Sequence, residues 1–270
     1  MTCVQLGHLM YSPSGTRLTL SVGAIGVRVF VNQAIREAYR IFRISRSRAG
    51  VFRYTRPALD FRYIALEGPP GVGKTALAER LAAHVDATTV LEETDNPFLA
   101  DFYAERPGAG LQAQLFFLLN RHRQQESLRQ ADLFSQATIC DYLFEKDRIY
   151  AYLNLDDNDL FIYQRLYELL ARDVALPDLV VYLQAPIDLL NKRLRAREAE
   201  QEAYRPNPAY VQKLNEAYQH FFFHYTATPL LVVETSQLDL TGSDDALDDL
   251  LRQIRGMGRG TRYYVPRTRG

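Results

Sequence analysis

The chain has 270 residues, 47 % of them hydrophobic, enough for a core in one large α/β domain or two small ones. Its 32 basic and 32 acidic residues cancel, which argues against bulk attraction to nucleic acid or a membrane surface, and no run of eighteen apolar residues is present to make a transmembrane helix. Two cysteines, Cys3 and Cys140, stand too far apart for a disulfide framework or a metal-ligand spacing, which fits a reducing, cytoplasmic setting.

The charge balance is lost locally. Residues 1–60 carry nine arginines against only Glu37 and Asp60, and residues 252–270 carry six arginines and no acid. Three readings of the first sixty residues stay open. Their arginine-rich, acid-poor composition resembles a transit peptide; the amphipathic spacing from Val31 to Ile44 fits a basic arm; and the segment could be upstream sequence translated from an early start codon. The expected organisation is a basic N-terminal extension over 1–60, disordered or partly helical and without chemistry of its own, followed by one domain over 61–270.

That domain opens on a short apolar run, Tyr63 to Leu66, which reads as a buried strand. Leu77, Leu81 and Val85 then recur every four residues, as on one face of a helix. Between them lies Gly68-Pro69-Pro70-Gly71-Val72-Gly73-Lys74-Thr75, which fits the phosphate-loop pattern of Gly, four residues and Gly-Lys-Thr in the strand-to-helix setting it requires. Glycines let successive N–H groups turn toward phosphate oxygens, and the helix points its partly positive end at the same place. Lys74 is expected at the β- and γ-phosphates of ATP and the Thr75 hydroxyl on Mg²⁺.

Four more apolar runs follow: Thr88 to Leu91, Ala137 to Cys140, Leu179 to Leu183 and Leu230 to Val233. Helical patterns alternate with them at Leu111 to Leu128, Asp159 to Ala171, Ile187 to Arg197 and Tyr210 to Tyr225, and a last helix is expected from a Ser243 cap to Gly256. Strands alternating with helices imply an α/β fold, a five-stranded parallel sheet with helices on both faces. Ligands of such sheets sit beyond the carboxyl ends of the strands.

The residues at those ends are the candidates. After the second strand comes Glu92-Glu93-Thr94-Asp95, where a carboxylate could take a proton from an attacking hydroxyl, although a solvated acidic loop fits the same residues. After the third strand, Asp141 is placed to bind Mg²⁺ directly or through water, or to cap a helix. Gln114 shares a helix face with Leu111 and Leu118, where it could read a nucleobase edge or bond backbone within the core. Arg193 and Arg197 lie one turn apart and could clamp a transferring phosphate or belong to a solvated face.

Taken together, the phosphate loop, "EETDNPFLADFY", "LQAQLFFLLNRHRQ", "CDYLFEKDRIYA", "PDLVVYLQAPIDLLNKRLRARE", "LNEAYQHFFFHY" and "GTRYYVP" resemble the bacterial deoxynucleoside kinases over roughly residues 61–266. The resemblance implies a P-loop kinase fold with an arginine-bearing lid. It also implies Mg²⁺-assisted transfer of the ATP γ-phosphate to the 5′-hydroxyl of a deoxynucleoside, purine rather than pyrimidine, in a homodimer serving nucleotide salvage. By position it makes Glu92 the base, with Glu93 one residue away, Gln114 the nucleobase reader beside Phe98 and Phe117, Arg193 and Arg197 the lid arginines, and Tyr103 the contact to the sugar 3′-hydroxyl. Two departures from the family pattern matter. Asp141-Tyr142-Leu143 stands where many members have acid-Arg-Ser, so the arginine's task falls to Lys146 or Arg148; and the lid acid facing Tyr103 is Glu200 or Glu202. The rival readings are a thymidylate-type monophosphate kinase and a non-catalytic nucleotide-binding subunit of the same fold.

Overall fold

Strand β1, Tyr63–Glu67, is buried almost throughout, as expected of a central strand of a parallel sheet with both faces covered. Around it the computed structural model, which describes residues 61–131, 137–201, 207–237 and 244–266, assembles a six-stranded sheet. The other strands are β2 (Thr88–Val90), β3 (Thr138–Cys140), β4 (Leu179–Gln184), β5 (Leu230–Glu234) and β6 (Thr261–Tyr264). Their order is β2-β3-β1-β4-β5-β6, and every pair is parallel. The proposed extension over 1–60 lies outside the described residues.

The sixth strand corrects the five-stranded expectation. Residues Thr261–Tyr264 pair with β5 from Leu230↔Thr261 to Val233↔Tyr264, yet three of the four are exposed. An edge strand held by main-chain bonds needs no apolar run, so the hydrophobic pattern does not register it. Gly260, at φ 83°, supplies the left-handed turn that leads into it.

The helices are α1 (Lys74–Val85), α2 (Leu99–Tyr103), α3 (Ala109–Ala131), α4 (Lys146–Asn154), α5 (Asp157–Leu170), α6 (Ile187–Gln201), α7 (Pro208–Phe223) and α8 (Asp244–Arg255). Helix α5 starts two residues before its apolar periodicity because the Asp156 side chain accepts from the N–H groups of Asn158 and Asp159. Asn207 caps α7 in the same way, with Pro208 at the first turn. The Ser243 cap expected for α8 falls outside the described residues.

Side-chain alternation along the strands divides the core in two. Ile64, Leu66, Val181 and Leu231 point to the face covered by Leu77 and Leu81 of α1 and Leu247 and Ile254 of α8. Ala65, Val180, Tyr182 and Val232 point to the other, where α7 packs Leu214, Tyr218 and Phe222, with Tyr182 stacked on Phe222 at 4.1 Å. A third cluster, including Leu118, Phe144 and Tyr163, joins α3, α4 and α5 beside the strand ends. Helices α2 and α4 have no counterpart in the sequence reading. Helix α4 buries Lys146 and Asp147 along with Ile149 and Ala151, so its inward face is not an apolar stripe. Among the described residues, no helix is long and apolar enough to cross a membrane.

Candidate active site

The phosphate loop leaves β1 close against β4. A Cβ on Gly68 would stand 2.3 Å from the Leu183 carbonyl oxygen of the neighbouring strand, closer than side chains pack. At Gly71, φ 81°, it would meet Leu194 at 3.0 Å and the Leu190 carbonyl oxygen at 3.1 Å, so the loop lies directly beneath α6. Gly73, at φ 101°, turns the chain into α1. Gly68→Ala is therefore expected to cost about 1 to 3 kcal/mol through forced backbone movement. At roughly 2 to 4 °C per kcal/mol for a domain of this size, a Tm unchanged in thermal unfolding would show that the loop yields freely.

Lys74 folds back across the loop. Its Nζ donates to the carbonyl oxygens of Gly68, at 2.6 Å, and Pro69, at 3.4 Å, and stands 4.0 Å from the Glu67 carboxylate. Burial lowers the pKa of this ammonium, with Glu67 pulling the other way. Glu67 is itself fully buried and accepts from the N–H groups of Gly68 and Leu143 and from the Tyr218 hydroxyl. Nothing in the sequence pattern singles it out, since it follows the strand's apolar run as a lone acid.

Thr75 and Asp141 come together from 66 residues apart. The Thr75 hydroxyl donates to Asp141 Oδ2 at 2.6 Å, and Asp141 Oδ1 accepts the Glu92 N–H at 2.7 Å. A hydroxyl and a carboxylate beside the phosphate loop are hard oxygen donors of the kind Mg²⁺ takes when phosphates and waters complete its shell. Among the described residues no group of three or more His, Cys, Asp or Glu could hold a metal ion. Asp141 is not part of the cavity wall; it lies behind the Glu92 backbone.

The cavity that extends from Pro70 has a volume of about 680 Å³, the size range of small-molecule sites. Its polar floor is made by Glu92, Arg121, Lys146 and Gln114, and Phe102, Phe117 and Leu153 contribute apolar wall. Glu92 Oε1 accepts from Arg121 Nε at 2.9 Å and from Nη2, and Oε2 accepts from Lys146 Nζ. Burial pushes the Glu92 carboxyl up, but the adjacent Lys146 and Arg121 outweigh it and hold the group well below the usual carboxylate range. Glu93 is exposed and is not in the wall.

Of the two cations offered for the missing arginine, Lys146 occupies the place beside Glu92, while Arg148 lies over the rings of Tyr152 and Tyr167. Gln114 is buried and its Nε2 donates to the Asp147 carbonyl at 3.1 Å and to Asp147 Oδ1. Tyr163 donates to that same oxygen at 2.9 Å, and Arg121 Nη1 to Oδ2. Burial pushes the Asp147 carboxyl up while Arg121 draws it down. Both Arg121 and Asp147 escaped the sequence reading. A signal existed for Arg121: Gln114, Leu118, Arg121 and Gln125 are buried at spacings of four, three and four along α3, so the stripe that contains Gln114 continues through it.

Phe117 and Tyr103 line the cavity, Tyr103 at the rim with 38 % of its surface exposed. Phe98 does not line it; its ring packs edge-on against Phe116 at 5.9 Å, and its N–H is held by the Asn96 side chain. Arg193 Nη1 donates to the Val72 carbonyl at 3.2 Å and to Thr235 Oγ1 at 3.4 Å, and Nη2 donates to the Thr235 carbonyl, tying α6 to the phosphate loop and the end of β5. Arg197 continues α6 one turn further, with its side chain outside what the structure describes, as is that of Glu200; Glu202 lies outside the described residues altogether.

Residues 64–257 match the family described as deoxynucleoside kinase. The chain is 32 % identical over 161 residues to the deoxyguanosine kinase of Bacillus subtilis (strain 168), covering 58 % of this chain and 76 % of that protein. It is 32 % identical over 172 residues to the deoxyadenosine kinase of Dictyostelium discoideum, covering 61 % and 68 %. Among solved structures, deoxyadenosine kinase from M. mycoides with bound dCTP superimposes with a TM-score of 0.59 at 19 % identity over 72 % of this chain and 98 % of that one, a likeness of fold.

Proposed function

The chain belongs to the deoxynucleoside kinase family, and on that premise we propose how its own residues carry out ATP-dependent phosphorylation of a deoxynucleoside. The 5′-oxygen of the acceptor attacks the γ-phosphorus, the bond from that phosphorus to the β–γ bridging oxygen breaks, ADP leaves with the bonding electrons, and the hydroxyl proton passes to Glu92. The observation that carries this reading is the position of Glu92: it stands at the exit of β2, in a cavity that runs to the phosphate loop at Pro70. Lys146 and Arg121 orient its two oxygens, and Lys74 neutralises the β- and γ-phosphates as negative charge moves to the leaving group.

Thr75 and Asp141 would hold Mg²⁺, which when bound screens the triphosphate and aligns it for in-line transfer. Arg193, and Arg197 one turn beyond it, would close over the phosphates from α6. Gln114, with Asp147 and Arg121 behind it, would read the nucleobase edge between the Phe117 and Phe102 rings, while Tyr103 would meet the sugar. The reading also includes a homodimer working in the cytoplasm, and a catalytic domain over residues 61–270.

A thymidylate-type acceptor would bring a second phosphate to the same floor. The two cations there, Lys146 and Arg121, are already committed to Glu92 and Asp147, which supports an uncharged acceptor. The names of the relatives support a purine, deoxyguanosine for one and deoxyadenosine for the other. The test is a panel of the four deoxynucleosides with ATP and Mg²⁺, with 5′-monophosphates as the readout. Deoxyadenosine or deoxyguanosine should give the highest kcat/KM; faster use of deoxynucleoside monophosphates would reject the acceptor assignment.

A further inference from the structure

We propose that Arg121 is a positioning residue that couples occupation of the nucleobase site to activation of the 5′-hydroxyl, because its single guanidinium bridges Glu92 and Asp147. The proposal rests on the deoxynucleoside kinase reading of the site.

Glu92 and Asp147 belong to different elements, the exit of β2 and the first turn of α4, and are 55 residues apart in sequence. Arg121 spans them with three of its five N–H groups: Nε and Nη2 donate to Glu92 Oε1, and Nη1 donates to Asp147 Oδ2. The guanidinium has little room to adjust. It is 5 % exposed and lies 5.1 Å from the centre of the Phe117 ring. Because the group is planar and rigid, a displacement at Nη1 is transmitted to Nε and Nη2.

The other contacts at the two acids are independent of Arg121. Lys146 holds the second oxygen of Glu92, and Gln114 and Tyr163 hold the second oxygen of Asp147. Glu92 thus has one private cation and one that it shares with the nucleobase site. Gln114 and Arg121 line the cavity and Asp147 lies behind them, so a base that hydrogen-bonds at Gln114 either pulls on the amide's bond to Asp147 or offers Nη1 a new acceptor. In both cases the guanidinium shifts against Glu92, which changes the orientation of the carboxylate that receives the proton. Binding energy from the base is then expressed partly in kcat rather than only in KM. Lysine cannot substitute, since a point charge on a flexible stem transmits no such displacement.

The experiment compares, in the full-length chain, the deoxynucleoside turned over fastest with a C-nucleoside that carries a phenyl ring in place of the base and so lacks a hydrogen-bonding edge. With the wild type, loss of the edge should lower saturating kcat at least about tenfold in addition to raising KM, within the range general-base alignment commands. In Arg121→Lys, kcat for the natural substrate should already be low, and loss of the edge should change it less than about threefold while KM still rises. Asp147→Asn weakens the other end of the bridge and should show the same collapse of the kcat difference, which keeps the test open if Arg121→Lys does not fold. A tenfold kcat penalty that persists in both variants, or a wild-type penalty confined to KM, overturns the coupling while leaving the kinase reading in place. A wild type inert toward all four deoxynucleosides overturns both.

Discussion

Glu92→Gln is expected to lower kcat by about two to four orders of magnitude with little change in KM for the deoxynucleoside. The amide keeps the shape of the carboxylate and its reach to Arg121 and Lys146 but has no basicity. Its Nε2 would also face one of those cations, Arg121 at one oxygen or Lys146 at the other, so a modest loss of stability should accompany the kinetic defect. Two measurements separate these effects: steady-state kinetics at saturating ATP, and the denaturant midpoint. Glu93→Gln is the control. Its side chain is exposed and outside the cavity, so it should stay within about twofold of wild type. Reversal of the two results would move the base by one residue; indifference to both would remove the general base from the mechanism.

Lys74→Ala should be of similar size, about two to four orders of magnitude in kcat, because the Lys74 ammonium, folded across the loop carbonyls, is the charge placed to follow electrons onto the leaving group. The fold should survive. The neighbouring Glu67 carboxylate keeps its bonds from the Gly68 and Leu143 N–H groups and from Tyr218, and its separation from Lys74 is a long 4.0 Å. Unfolding should therefore remain cooperative, with a midpoint close to that of the wild type. Turnover near the wild-type rate in a folded Lys74→Ala protein would remove the phosphate loop from catalysis.

Arg121 shows why such a site resists sequence reading more than its fold does. It sits in an Arg-His-Arg run that looks like a solvated face, and only the helix stripe through Gln114 and Leu118 marks it as inward. Asp147 is harder still: with Lys146 it occupies the buried face of α4, where an apolar stripe would normally announce a helix, and their charge conceals the element. Phe98 errs the other way, apolar and beside the acidic loop, yet turned onto Phe116.

The phosphate-loop pattern, the alternation of strand and helix, and the places of Glu92 and Asp141 just after β2 and β3 are legible in the sequence. These are properties of neighbouring residues: left-handed turns need glycine, buried parallel strands need short apolar runs, and an amphipathic helix repeats its stripe every three or four residues. The pairing of β6 with β5, the meeting of Lys146 rather than Arg148 with Glu92, and the span of Arg121 from Glu92 to Asp147 arise only when the chain folds. Main-chain pairing at a sheet edge leaves little trace in side chains. The partner of a buried charge is set by which elements the fold brings within hydrogen-bond distance, across separations of 26 to 54 residues here, and no local period encodes that choice.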